Sequence, residues 1–92
     1  MHGEGEGLLG MTLSEVNPRN QVVVVTINGG ITVSSHLNTL GIHSGDTMVV
    51  VDRAPFGGPV LVEVHGSRVA LGRGVARKVV VESAGAPKPL VD

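Results

Sequence analysis

Imidazole is the most versatile functional group in this 92-residue chain, which carries His2, His36, His43 and His65. Neutral imidazole is a common transition-metal ligand, and a tight site gathers three or four donors. No two histidines stand at the four-residue spacing that would stack them on one helix face. Any site therefore has to recruit donors from separate elements. His36 flanks the apolar stripe of an expected helix, His43 lies just past its end, and Asp46 follows. His36, His43 and Asp46 are thus the candidate metal ligands; the plainer reading makes the histidines one half-buried helix residue and one turn residue. His65 is expected to point into solvent beside a turn, and His2 to lie in a terminal extension.

Catalytic groupings are not found. Asp52 and Arg53 end one expected strand and Glu63 lies on the next, so Arg53 and Glu63 are expected to be neighbours. Such a surface ion pair adds only about 0–1 kcal/mol. There is no pair of carboxylates in apolar sequence, no nucleophile beside a base, and the serines sit at cap or turn positions. Gly72-Arg73-Gly74 lacks the lysine and the helix signature of a phosphate-binding loop. The chain reads as a non-enzyme that requires no cofactor, with a transition metal ion as the one candidate ligand. A contact surface is the stronger expectation. Pro55-Phe56-Gly57-Gly58-Pro59 holds the only aromatic residue, between prolines that limit the loop's freedom, and an exposed ring there would anchor a protein partner. The alternative is that Phe56 folds back over one end of the core.

The elements that must position these groups are short. Thr12-Leu13-Ser14-Glu15 has the capping-box pattern, and Asn17-Pro18 ends the turn it opens. Gln21 to Asn28 reads as a first strand. Ile31 to Leu40 reads as a helix, with Val33, Leu37 and Leu40 on one stripe. Gly41 stands where a left-handed residue closes a helix and brings Ile42 onto Leu37. Thr47–Arg53 and Val60 to His65 read as strands, the second with clean alternation. Gly66-Ser67 suits a two-residue hairpin turn, which would set Val64 opposite Val69 and Val62 opposite Leu71. Gly72 to Ala76 is a short link, and Arg77 to Glu82 the last strand.

Composition agrees with that outline. Valine, at eighteen copies, is a stiff β-branched residue that favours strands, and fourteen glycines and five prolines supply turns. The expected fold is mainly β: a small closed or half-closed barrel of about five strands with one or two short helices, spanning residues 11–82 between a flexible N-terminal extension (1–10) and a flexible C-terminal tail (83–92). There is no cysteine, which excludes disulfides and thiolate metal sites. A net charge of −1 and a single aromatic residue give neither the basic patch nor the stacking surface that nucleic-acid binders use. The longest apolar run, Val22 to Val25, is far too short for a membrane span, and residues 1–10 lack the pattern of a signal peptide.

Several segments, in order, resemble the FeoA domain family. They are the opening Met11-Thr12-Leu13-Ser14-Glu15-Val16, the helix end Leu37-Asn38-Thr39-Leu40-Gly41-Ile42, the turn His43-Ser44-Gly45-Asp46-Thr47, the loop Ala54-Pro55-Phe56-Gly57-Gly58-Pro59, and the hairpin Val62-Glu63-Val64-His65-Gly66-Ser67-Arg68-Val69-Ala70-Leu71. Ala76 with Val79-Val80-Val81-Glu82 fits the closing strand. The resemblance implies an SH3-like barrel, found either as a free-standing accessory protein of bacterial ferrous-iron uptake or at the C-terminus of metal-dependent repressors of the diphtheria-toxin-repressor type. With no DNA-binding segment in the sequence, the free-standing form is expected. The implied partner is the ferrous-iron permease with its cytoplasmic GTP-binding domain, and the implied location is the cytoplasm, at the inner membrane only through that partner. Two departures matter. Family helices often carry Arg or Lys before the Leu-Gly, whereas Val33 to Thr39 has neither, and Gly72-Arg73-Gly74 loosens a link that relatives often make charged and helical.

Overall fold

The computed structural model describes residues 11–84; residues 1–10 and most of the expected C-terminal tail lie outside the described residues. A 3₁₀ turn (Leu13–Glu15) leads into strand β1 (Gln21–Ile27), helix α1 (Gly30–Thr39), strands β2 (Thr47–Arg53), β3 (Val60–Val64) and β4 (Ser67–Leu71), a one-turn helix α2 (Arg73–Ala76) and strand β5 (Val79–Ser83). The strands form one antiparallel sheet in the order β4-β3-β2-β1-β5. Buried residues from all five strands make one cluster with Leu13, Val16, Leu37, Ile42 and Ala76. A single sheet can surround one core only by curling, so the fold is the expected small, half-closed, SH3-like barrel.

Alternation decides what faces in. Val60, Val62 and Val64 of β3 are buried, as are Val22 and Val24 of β1 and Met48 and Val50 of β2. Two one-residue bulges then change the phase. Pairing shifts in β1 between Val24 and Thr26, and in β2 between Val50 and Asp52. An extra residue turns the following side chains to the opposite face. Beyond Val25, Ile27 packs on the core while Thr26 is exposed; beyond Val51, Asp52 is exposed. The bulges also sharpen local twist, which helps so narrow a sheet to curl.

Helix α1 closes as its sequence dictates. Ile42 N–H donates to Leu37 O at 2.9 Å and Gly41 N–H to Asn38 O at 3.0 Å, the paired bonds of a Schellman motif. Gly41 takes φ +91°, where a Cβ would be strained. Leu37 and Ile42 are fully buried, with Val33 and Leu40 against the core edge. At the N-terminus Glu15 Oε1 accepts from Thr12 N–H at 3.0 Å. The Thr12 hydroxyl meets the Ser14 hydroxyl at 2.8 Å, which satisfies the one buried polar residue among the described residues.

Three expectations are corrected. The β3–β4 turn is His65-Gly66, not Gly66-Ser67: Val64 pairs with Ser67, Val62 with Val69 and Val60 with Leu71. His65 and Gly66 have φ +52° and +80°, the two left-handed residues of a type I′ turn, whose twist suits a hairpin. The expected register is displaced by two residues, a slip that keeps the same valines facing inward and so leaves the alternation intact. Arg53 pairs with Val60, and Glu63 with Val49, so Arg53 and Glu63 stand at opposite ends of the β2–β3 ladder rather than side by side. The last strand is Val79–Ser83; Arg77 and Lys78 belong to the exit of α2, where their N–H groups donate to Arg73 O and Val75 O.

Candidate functional site

The loop between β2 and β3 is pinned at its base and strained at its tip. Ala54 N–H donates to Pro59 O at 2.9 Å and Gly58 N–H to Pro55 O at 3.1 Å. A Cβ on Gly58 would lie 2.7 Å from Ala54 Cβ, so the close approach of the two loop stems requires glycine. At the tip, Phe56 and Gly57 have φ +59° and +74°. A left-handed backbone costs a residue with a Cβ roughly 1–2 kcal/mol. Phe56 bears that cost with its side chain fully in solvent, at 103% relative exposure. It does not fold back over the barrel.

Two guanidinium groups border this loop. Arg73, at the start of α2, donates from Nε to Gly58 O at 3.0 Å and from Nη2 to Ala54 O at 2.8 Å. It ties the link after β4 to both stems of the loop. Arg53 ends β2 past the Val51 bulge, opposite buried Val60, and so faces the mouth of the barrel. Its Nη1 donates to Asn17 Oδ1 at 3.1 Å, while its Nε is buried with no acceptor. Among the described residues, no carboxylate lies within ion-pair distance of either arginine. Pro18, Arg53, Ala54, Pro55, Phe56, Gly57 and Arg73 enclose an open groove of about 330 Å³. Sequence reasoning found the loop but missed the arginines. Arg53 was read as a partner for Glu63, and Arg73 as part of a loose link.

The imidazoles assemble differently from expectation. Asp46 Oδ2 accepts from His43 N–H at 2.7 Å and lies 3.2 Å from His43 Nδ1, while Asp46 Oδ1 lies 3.4 Å from His65 Nε2. The backbone hydrogen bond from His43, then the two rings, hold the Asp46 carboxyl below its ordinary value of 3.8 against a smaller opposing effect of burial. His36 takes no part: it is exposed on α1, because the buried face of that helix is narrowed to Leu37. The expected His36, His43 and Asp46 grouping is not formed; His65 stands where His36 was expected. His65 was legible only as a turn residue, since a left-handed histidine at the hairpin tip is what aims its ring at Asp46. Among the described residues, no three His, Asp or Glu side chains converge on a point that a metal ion could occupy. Nor does any helix reach the length and apolarity needed to cross a membrane.

The family model for the FeoA domain matches residues 11–83. A protein of Methanocaldococcus jannaschii named as an Fe(2+) transport protein A is 36% identical over 64 residues, covering 70% of this chain and 76% of that protein. The crystal structure of an iron uptake regulatory protein, FeoA, superposes with a TM-score of 0.73 at 36% identity, over 78% of this chain and 95% of that one. The FeoA protein of Chlorobium tepidum gives 0.75 at 25% identity, over 87% and 76% of the two chains. The manganese regulator SloR gives 0.71 at 16% identity, over 79% of this chain and 34% of that one, a likeness of fold alone.

Proposed function

The chain belongs to the FeoA domain family, and from that premise we propose that it serves ferrous-iron uptake by protein–protein contact with the cytoplasmic, GTP-binding part of the ferrous-iron permease. An accessory role in iron transport comes with the family. The contact, its cytoplasmic setting and a role without chemistry of its own are the finer reading. One observation carries it: the only aromatic side chain of the protein is held in solvent, on a strained and pinned loop, beside a groove. Folding gains nothing from that placement. A partner that covered the ring would gain its whole apolar surface.

Co-purification tests the reading. The full chain should be captured by the permease's cytoplasmic domain, and deletion of its gene should lower ferrous-iron uptake. Failure of both would sink the proposal.

A further inference from the structure

We infer that the groove between the β2–β3 loop and α2 takes an acidic protein segment, one whose carboxylate seats on Arg53 while a neighbouring apolar side chain packs on Phe56. The inference deepens the partner reading above and rests on it for the claim that this loop is a docking face.

Charge argues for the occupant. Arg53 and Arg73 both line the groove, and among the described residues neither has a carboxylate within ion-pair distance. Their roles differ. Arg73 spends Nε and Nη2 on the carbonyls of Gly58 and Ala54; it holds the loop and contributes positive potential. Arg53 commits only Nη1, to Asn17 Oδ1, and its Nε is buried without an acceptor. What remains is the Nε–Nη2 edge, the side of a guanidinium that receives a carboxylate through two parallel hydrogen bonds. A buried donor without a partner is an energetic deficit. A modest rotation of the Arg53 side chain would bring that edge to an incoming carboxylate and remove the deficit.

Apolar surface argues for the neighbour. Pro18, Pro55 and Phe56 line the same groove, and Phe56 is fully exposed. A segment that alternates acidic and apolar residues satisfies both features; an anion alone satisfies one. Nucleic acid is a poorer match, because two guanidiniums and one ring make neither a phosphate track nor a stacking platform.

The test is fluorescence anisotropy with the full chain and two labelled peptides of alternating sequence, one Glu/Leu and one Gln/Leu. The Glu/Leu peptide should bind roughly tenfold tighter, and added salt should erase most of the difference. Arg53→Gln should abolish the preference while leaving the melting temperature nearly unchanged. Phe56→Ala should weaken both peptides alike. Equal binding of the two peptides, or a preference that survives Arg53→Gln, overturns the inference. So does displacement of the peptide by inorganic phosphate or an RNA oligonucleotide at comparable concentration, which would give the groove to phosphate. Concentration-dependent dimers in sedimentation equilibrium that Phe56→Ala dissolves would give it to a second copy of the chain. The two readings fail separately. Capture by the permease domain that is sensitive to Phe56→Ala but not to Arg53→Gln sinks only the acidic occupant. Peptide binding as expected without capture sinks only the choice of partner.

Discussion

Truncating Phe56 to alanine separates what the loop does for folding from what it does for recognition. The ring is fully exposed, so no buried area is lost with it. Alanine carries the same Cβ at φ +59° and bears the same backbone strain. Unfolding free energy should therefore change by no more than about 0.5 kcal/mol. Recognition should behave otherwise. A phenylalanine covered by a partner removes roughly 150–250 Å² from water, which at about 25 cal/mol per Å² sets a ceiling of roughly 4–6 kcal/mol. Ordering and desolvation consume part of that gain, and truncations at interface anchors commonly cost about 2 kcal/mol or more. At about 1.4 kcal/mol per decade, affinity for the permease's cytoplasmic domain should fall by roughly 30-fold. Urea denaturation gives the first quantity and titration calorimetry the second. A loss of more than about 1.5 kcal/mol in stability with binding intact would refute the reasoning, since the ring would then be a lid on the core.

Three further outcomes test the fold that carries the loop. Gly41→Ala should cost about 1–2 kcal/mol in denaturant melts purely through backbone strain, because the added Cβ would meet nothing within 4 Å beyond its adjoining residues; a neutral result would contradict the left-handed helix end. Leu37→Ala, at a fully buried site, should cost about 2–5 kcal/mol, and a smaller loss in the same melts would mean that α1 is not docked on the barrel. Asp46 has a folded pKa below its ordinary value of 3.8. Its contribution to stability is complete above that value and lost as pH falls through the lower folded pKa. Chemical denaturation followed from neutral to strongly acidic pH should show this loss, and Asp46→Asn should remove its share of the pH dependence.

Local signals in the sequence were the reliable ones. Gly41 after a Leu37-to-Leu40 stripe marks the helix end through its own conformational freedom. The valine alternation of β3 identifies the inward face without reference to any partner. Thr47 and Arg53 bound β2 because turn residues flank both sides. Information that depends on what lies across a ladder was not legible. The hairpin register turned on His65 taking a left-handed conformation, and inward-facing valines cannot report a slip of two. The Arg53 and Glu63 pairing failed on the antiparallel sense of the ladder: the 54–59 loop sets Arg53 opposite Val60, and Glu63 then falls at the far end, opposite Val49. The approach of His65 to Asp46 joins a hairpin tip to a turn nineteen residues earlier in the chain, whereas the alternation of β3 alone points His65 into solvent. Arg53 and Arg73 were individually visible, but only the folded loop places them at one groove.

The two bulges make Val25 and Val51 the positions at which these strands tolerate a change of length. Neither valine has a pairing partner of its own across the ladder. Deleting Val25 leaves Val24, Thr26 and Ile27 opposite Val81, Val80 and Val79 in plain alternation, with Ile27 still facing in. Deleting Val51 leaves Val50, Asp52 and Arg53 opposite Val62, Leu61 and Val60, with Arg53 still at the mouth of the barrel. Such a deletion removes local twist and not the inward face. The bulges are thus seams at which a strand can gain or lose one residue while the core-facing set stays the same.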